Sequence, residues 1–202
     1  MSALHLLDPL FLIKTVGLLG VFAIVFTESG LFFGFFFPGD SLLFTAGVLA
    51  SQGFFSLLTL IVGCIVAAIA GSAVGYEFGR FVGPAIFSRE DTFFFHKKHL
   101  EEANAYFGKH GRKTVILGRF LPVVRTFVPI VAGVGDMPYN VFMFFNTLGA
   151  AAWTLLSCGA GFYLGKAIPN AERYILPIVI TIIAVSFLPA AIKLLKKKQG
   201  SA

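Results

Sequence analysis

Charge is scarce in this chain. Asp, Glu, Lys and Arg make up 13% of its 202 residues, against roughly a quarter in a soluble domain. Hydrophobic residues make up 57% and the mean hydropathy is +0.86, so the chain cannot cover itself with a polar surface and its solvent is lipid. Cysteine is nearly absent too. Cys64 and Cys158 both lie in apolar runs, where small packing residues are expected rather than a disulfide framework. No small-residue cleavage site follows a short apolar core near the N-terminus, so no signal peptide is expected to be removed and insertion uses the mature segments. A ligand frame of cysteines or carboxylates is missing around His96 and His99, and the pair reads as interfacial side chains rather than a metal site. The net charge of +6 does not point to nucleic acid, because the lysines and arginines stand beside apolar segments, as the cytoplasmic flanks of membrane spans do.

What is present is a set of long apolar segments with a few deliberate interruptions. From Thr15 to Ala50 the only charges are Glu28 and Asp40, and a crossing takes about 20 helical residues. That length predicts one span followed by a half-depth hairpin, re-entrant hairpin one over 28–50, with its tip at Pro38-Gly39. Phe54 to Gly75 reads as a second span, whose Gly63, Ala67, Ala68, Ala70 and Gly71 let helices approach closely. Residues 76–113 are the long polar region, expected as an amphipathic cytoplasmic helix, with Phe93, Leu100 and Phe107 in heptad register. Tyr76, Gly79 and Arg80 are expected to form an interfacial elbow after span two. In "TVILGRFLPVVRTFVPIVAGVG", Pro122 and Pro129 interrupt a run otherwise fit for a membrane, and broken backbone is tolerated at membrane depth only where protein buries it. Residues 114–135 are therefore expected as re-entrant hairpin two. Spans over about 139–165 and 174–192 follow.

The expected fold is an all-α integral membrane protein: a single membrane domain over 1–202, with about four transmembrane helices and two oppositely facing re-entrant helical hairpins. Keeping the 76–113 region and the Lys193–Lys198 tail inside sends hairpin two in from the cytoplasm and hairpin one in from outside. Both termini are then cytoplasmic. Discontinuous segments meeting near the midplane are the substrate-site device of inverted-repeat transporters.

The ionisable residues in these segments are the candidate site. Asp40 stands where an N-cap belongs and can serve the short helix that follows; at membrane depth it can also line a pathway. Glu28 has no cap to make, and a carboxyl so isolated can load and release a proton, with the outer interface as its plainer placement. Arg119 and Arg125 would point about 240° apart on an unbroken helix. With Pro122 between them a hairpin can turn both forks into one cavity, where they suit phosphate oxygens. Arg125, beyond the break, is expected nearest that cavity, and Arg119 nearer the cytoplasmic mouth. A structural ion pair with Glu28 and Asp40, or snorkelling to headgroups, are the alternatives. Asp136 reads as a turn residue beside Pro138, and Trp153 as helix packing. Neither hairpin holds a histidine, so a phosphatase-type enzyme is not expected. A proton-dependent exporter of small molecules or cations fits the arginine pair less well than an anion carrier does. A membrane-homeostasis scaffold remains a further class.

The runs "ESGLFFGFFFPGDSLLFTAGVLAS", "GYEFGRFVG", "KHGRKTVILGRFLPVVRTFVPIVAG" and "FNTLGAAAW" closely resemble bacterial DedA membrane proteins, the VTT-domain group, over nearly the whole chain. The resemblance implies a lipid translocase or scramblase of the bacterial cytoplasmic (inner) membrane. Its substrate would be undecaprenyl phosphate or a related polyprenyl phosphate, with a proton or sodium ion as coupling ion and no other cofactor. A homodimer is compatible with it. The family's acidic pair falls on Glu28 and Asp40 and its arginine pair on Arg119 and Arg125. Where the family often has Gly-Asp, this chain has Gly71-Ser72, which leaves no third acid at that place.

Overall fold

The structure is a computed structural model that describes residues 9–30, 39–87 and 113–167. Within them the regular elements are α1 (Pro9–Gly30), α2 (Gly39–Ser51), α3 (Leu57–Phe87), α4 (Lys113–Gly118), α5 (Pro122–Val134) and α6 (Tyr139–Ala167), with no strand among the described residues. The 174–192 span, His96, His99 and the bulk of the 76–113 region lie outside the described residues.

Two of these helices, Leu57–Val82 within α3 and Tyr139–Ala167, are long and apolar enough to cross a bilayer. Large apolar side chains such as Leu58, Phe81, Leu156 and Tyr163 stand exposed along them. In water that would be an uncovered hydrophobic surface; in lipid it is the correct one. The second span is longer than the sequence suggests. α3 continues through Tyr76 and Arg80 to Phe87, so these residues are helix rather than an interfacial elbow. Tyr76 is buried, stacks on Phe142 with ring centroids 4.7 Å apart, and donates its hydroxyl to the Met137 carbonyl. An aromatic with a buried polar tip accounts for the extension: the ring fills the core and the oxygen finds a backbone partner.

The short helices owe their ends to local chemistry. α4 closes with tight bonds from the amides of Arg119, Phe120 and Leu121 to the carbonyls three residues earlier, at 3.1–3.2 Å. Leu121 is extended, as a residue before proline prefers, and Pro122 opens α5, where its missing donor costs nothing. The break therefore falls at 119–121. Pro129, expected to break the chain as well, sits inside α5 without ending it. α2 ends in a Schellman turn, with Phe54 N–H on the Leu49 carbonyl at 3.2 Å, Gly53 N–H on that of Ala50 at 3.1 Å, and Gly53 at φ 84°. α5 ends the same way: Met137 N–H bonds Ala132 O at 3.0 Å, Asp136 N–H bonds Gly133 O at 3.1 Å, and Asp136 holds φ 51°. Asp136 is thus the turn residue that the sequence suggests.

The helices pack crosswise between the two halves. The short α2 lies on the long α6, the short α5 on the long α3, α1 also on α3, and α3 and α6 on each other. These crossings use small residues. A Cβ at Gly47 would collide with the Cys158 carbonyl, one at Gly161 with that of Phe44, and one at Gly133 with that of Tyr76, so backbone rides on backbone as lipid-solvated helices favour. Cys64 and Cys158 are free and buried, one on each long helix. The main core joins Val21 and Val25 of α1, Leu42, Leu43 and Leu49 of α2, Leu60 and Ala68 of α3, and Ala150 and Trp153 of α6.

Candidate functional site

The crossing brings charged side chains into the protein interior. Arg125, in the first turns of α5 and 5% exposed, forms ion pairs with Glu28 at the end of α1 and with Asp40 at the start of α2, the latter at 2.8 Å. Trp153 of α6 completes the group. Its indole N–H donates to Asp40 Oδ1 at 2.7 Å, and the guanidinium carbon of Arg125 lies 4.8 Å from its ring centroid. Trp153, expected as plain packing, is therefore a polar partner of both Asp40 and Arg125.

Glu28 does have a cap to make, contrary to the sequence reading. Its Oε1 accepts the Gly39 N–H, the first amide of α2, at 3.3 Å, so a carboxylate from α1 satisfies one of the orphan donors that open the next helix. A Cβ at Gly39 would collide with that carboxyl, which explains the glycine beside Pro38. Asp40 turns its Oδ1 outward to α5 and α6. Glu28 is 1% exposed and Asp40 29%, so Asp40 is the member of the trio nearest the surroundings. Among the described residues, Glu28 Oε2 and Arg125 Nε are buried without a hydrogen-bond partner.

Arg119 is elsewhere. It is also 5% exposed, but its Nη2 donates to Ser72 Oγ at 2.8 Å, to the Ala68 carbonyl at 3.3 Å and to Asn146 Oδ1. Among the described residues no carboxylate comes within ion-pairing distance of it. Asn146 is steadied by its own Nδ2, which donates to the Ile69 carbonyl at 3.4 Å. The Ser72 hydroxyl donates to the Ser29 carbonyl at 3.3 Å, one residue from Glu28. α6 runs bare past the arginine at Gly149, where a Cβ would stand 2.9 Å from Arg119 Cδ.

The structure thus unites three of the four sequence-expected site residues, Glu28, Asp40 and Arg125, and sets Arg119 in a neighbouring polar group. Gly39, Ser72, Asn146 and Trp153 are the members that sequence reasoning missed. Each is a neutral residue type that helices commonly use for packing. The polar motifs around them, Pro38-Gly39-Asp40 and "FNTLGAAAW", were the available signals.

A lipid-solvated chain, helical through its described residues and with ionisable side chains gathered where short and long helices meet, is a membrane protein. The VTT domain profile matches residues 37–163. The chain is 41% identical to protein DedA of Escherichia coli K12 over 184 residues, covering 90% of this chain and 84% of that one. An uncharacterized membrane protein of Mycobacterium leprae is 40% identical over 192 residues, covering 92% and 86%. Inner membrane protein YqjA of Escherichia coli K12 is 32% identical over 190 residues, covering 90% and 85%. No solved structure matches. The chain belongs to the DedA family of VTT-domain membrane proteins.

Proposed function

We propose that the protein moves an anionic lipid, undecaprenyl phosphate or a close relative, between the leaflets of the bacterial cytoplasmic membrane, with the step coupled to the proton gradient. The observation that carries this is the ion-paired trio of the buried Glu28 and Arg125 with the half-buried Asp40. One cation between two carboxylates leaves a single negative charge uncompensated, which one proton can neutralise, and Glu28 Oε2 has no hydrogen-bond partner among the described residues. Ionisable groups at this depth are costly and mark pathways. In this reading the arginines serve the phosphate and the carboxylates serve the proton, without an enzymatic step or a further cofactor.

The helix order supports the placement in the membrane. In this placement α1 supplies the first span and, at its end, the start of re-entrant hairpin one, residues 28–50, which α2 completes; α4 and α5 build hairpin two, residues 114–135, and the two hairpins enter from opposite leaflets in a multi-pass protein with both termini cytoplasmic. The relative named inner membrane protein YqjA supports the inner membrane as location. A scaffold role has one observation in its favour, the engagement of Arg125 by three side chains from α1, α2 and α6. Reconstitution into liposomes with a labelled polyprenyl phosphate separates the two. Leaflet exchange well above that of protein-free liposomes is expected, and exchange at the protein-free rate would leave the scaffold.

A further inference from the structure

Trp153 is the chain's only tryptophan, and α6 turns it to the trio rather than to plain apolar packing. It lies seven residues beyond Asn146, two turns along the same helix face, with Ala150 buried between them. That face presents a hydrogen-bonding side chain to each arginine group, Asn146 to Arg119 and Trp153 to Asp40 beside Arg125. Indole suits the second task by its chemistry. Its one N–H is a donor with no acceptor beside it, so that atom can serve a carboxylate but not a guanidinium, while the face of its ring attracts a cation. Trp153 uses both at once: Nε1–H donates to Asp40 Oδ1 at 2.7 Å, and the ring centroid lies 4.8 Å from the guanidinium carbon of Arg125. An aspartate in the first turn of a helix ordinarily serves the free amides of that turn. Asp40 instead gives Oδ1 to two side-chain donors, Arg125 Nη1 at 2.8 Å and the indole, and the Gly39 amide is left to Glu28.

We infer that Trp153 is a positioning residue of the trio, holding Asp40 on Arg125, and that through this bond it sets the pH at which the two carboxylates take up their shared proton. The inference deepens the translocase reading and rests on it only for the transport measurement. Glu28 and Asp40 share one cation and therefore titrate as a unit. A donor aimed at a carboxylate stabilises its ionised form more than its protonated form. The indole bond thus favours the charged trio, and its loss lets the proton on at higher pH. The groups that face Asp40 are Arg125 from α5, Glu28 from α1 through that arginine, and the neutral Trp153 from α6. The charged residues of α3 are Glu77 and Arg80, and among the described residues neither comes within ion-pairing distance of the trio.

Trp153→Phe keeps a ring for Arg125 and removes the N–H. The first measurement needs no transport: unfolding midpoints of the purified full chain in detergent, wild type against Trp153→Phe, from mildly acidic to mildly basic pH. The loss of midpoint is expected to be largest at high pH, where the trio is charged, and to shrink as falling pH protonates it. Made in Asp40→Asn protein, the same substitution is expected to cost the same at every pH. A tryptophan that only fills space would cost the same at every pH in both. A constant loss in the Asp40 protein, or a pH-dependent loss that survives Asp40→Asn, overturns the inference. If Trp153→Phe does not fold, the emission of the lone tryptophan in the folded wild type decides. A reversible step with pH that is absent from Asp40→Asn supports the inference; flat emission, or a step that survives Asp40→Asn, overturns it. The second measurement is leaflet exchange of labelled polyprenyl phosphate against pH. Its half-point is expected to rise by about one pH unit in Trp153→Phe, the shift from losing one hydrogen bond to a charged group. An unshifted half-point overturns the inference and leaves the translocase reading standing. Absence of exchange in the wild type counts against that reading, while a midpoint loss that depends on pH and on Asp40 still supports the role of Trp153.

Discussion

At the scale of single residues, the arginine in the trio has both a structural and a functional claim on it. Removing one member of a buried ion pair strands the other, at a cost of about 3–5 kcal/mol, whereas replacing both by apolar residues of similar volume is often neutral. Arg125→Met is therefore expected to lower the unfolding midpoint sharply, and Glu28→Leu with Arg125→Met to recover most of the loss. The half-buried Asp40 keeps its indole partner in that double variant. Stability would return without lipid movement; exchange at the wild-type rate in the double variant would leave these charges with a purely structural role. Glu28, Asp40 and Arg125 were legible in the sequence because an ionisable group in a lipid-solvated run has few other uses. Trp153, Ser72 and Asn146 were not. Trp153 meets Asp40 across 113 positions and Ser72 meets Arg119 across 47, and nothing in the local pattern of either helix records such a meeting. Glu28 was seen, but its cap on Gly39 was not, since that bond links two separate helices.

At the scale of elements, α2 and α5 are matched. Each has 13 residues, each ends in a Schellman turn, and each lies on the long helix of the other half. The left-handed position is Gly53 in one and Asp136 in the other. Because a Cβ is disfavoured there, Gly53→Ala is expected to cost about 1 kcal/mol and Asp136→Gly to stabilise by up to about the same amount. Thermal unfolding in detergent reads both, and a midpoint raised by Gly53→Ala would mean that the turn is not as described. The Pro122 break could be read from sequence, as a proline at the first position of a helix commonly can. That Pro129 would be absorbed within α5 could not, and neither could the extension of α3 past Tyr76. A helix continues or stops according to what buries its next turn, and Phe142 and the Met137 carbonyl come from elements far along the chain.

At the scale of the whole molecule, the placement of charge predicts how the chain sits in the bilayer. With Cys64 and Cys158 replaced, single cysteines at Gln52 and Asn170 are expected to react with an impermeant thiol reagent applied to intact cells, and one at Lys97 to stay unlabelled. Labelling at Lys97 would reverse the hairpins and undo the proposed topology. The lipid-solvated, all-helical character was readable from hydropathy alone, while the crosswise packing of halves was not, because it depends on which glycines face which carbonyls. The central claim is that a buried carboxylate couples lipid movement to the proton gradient, and Glu28→Gln tests it most directly. Glutamine keeps the shape of the side chain and an oxygen for the Gly39 amide but cannot exchange a proton. The measurement is leaflet exchange of labelled undecaprenyl phosphate in liposomes, with and without an imposed pH gradient. The gradient is expected to change the wild-type rate and to leave the folded Glu28→Gln rate flat; a Glu28→Gln protein that answers the gradient as wild type does would contradict the claim.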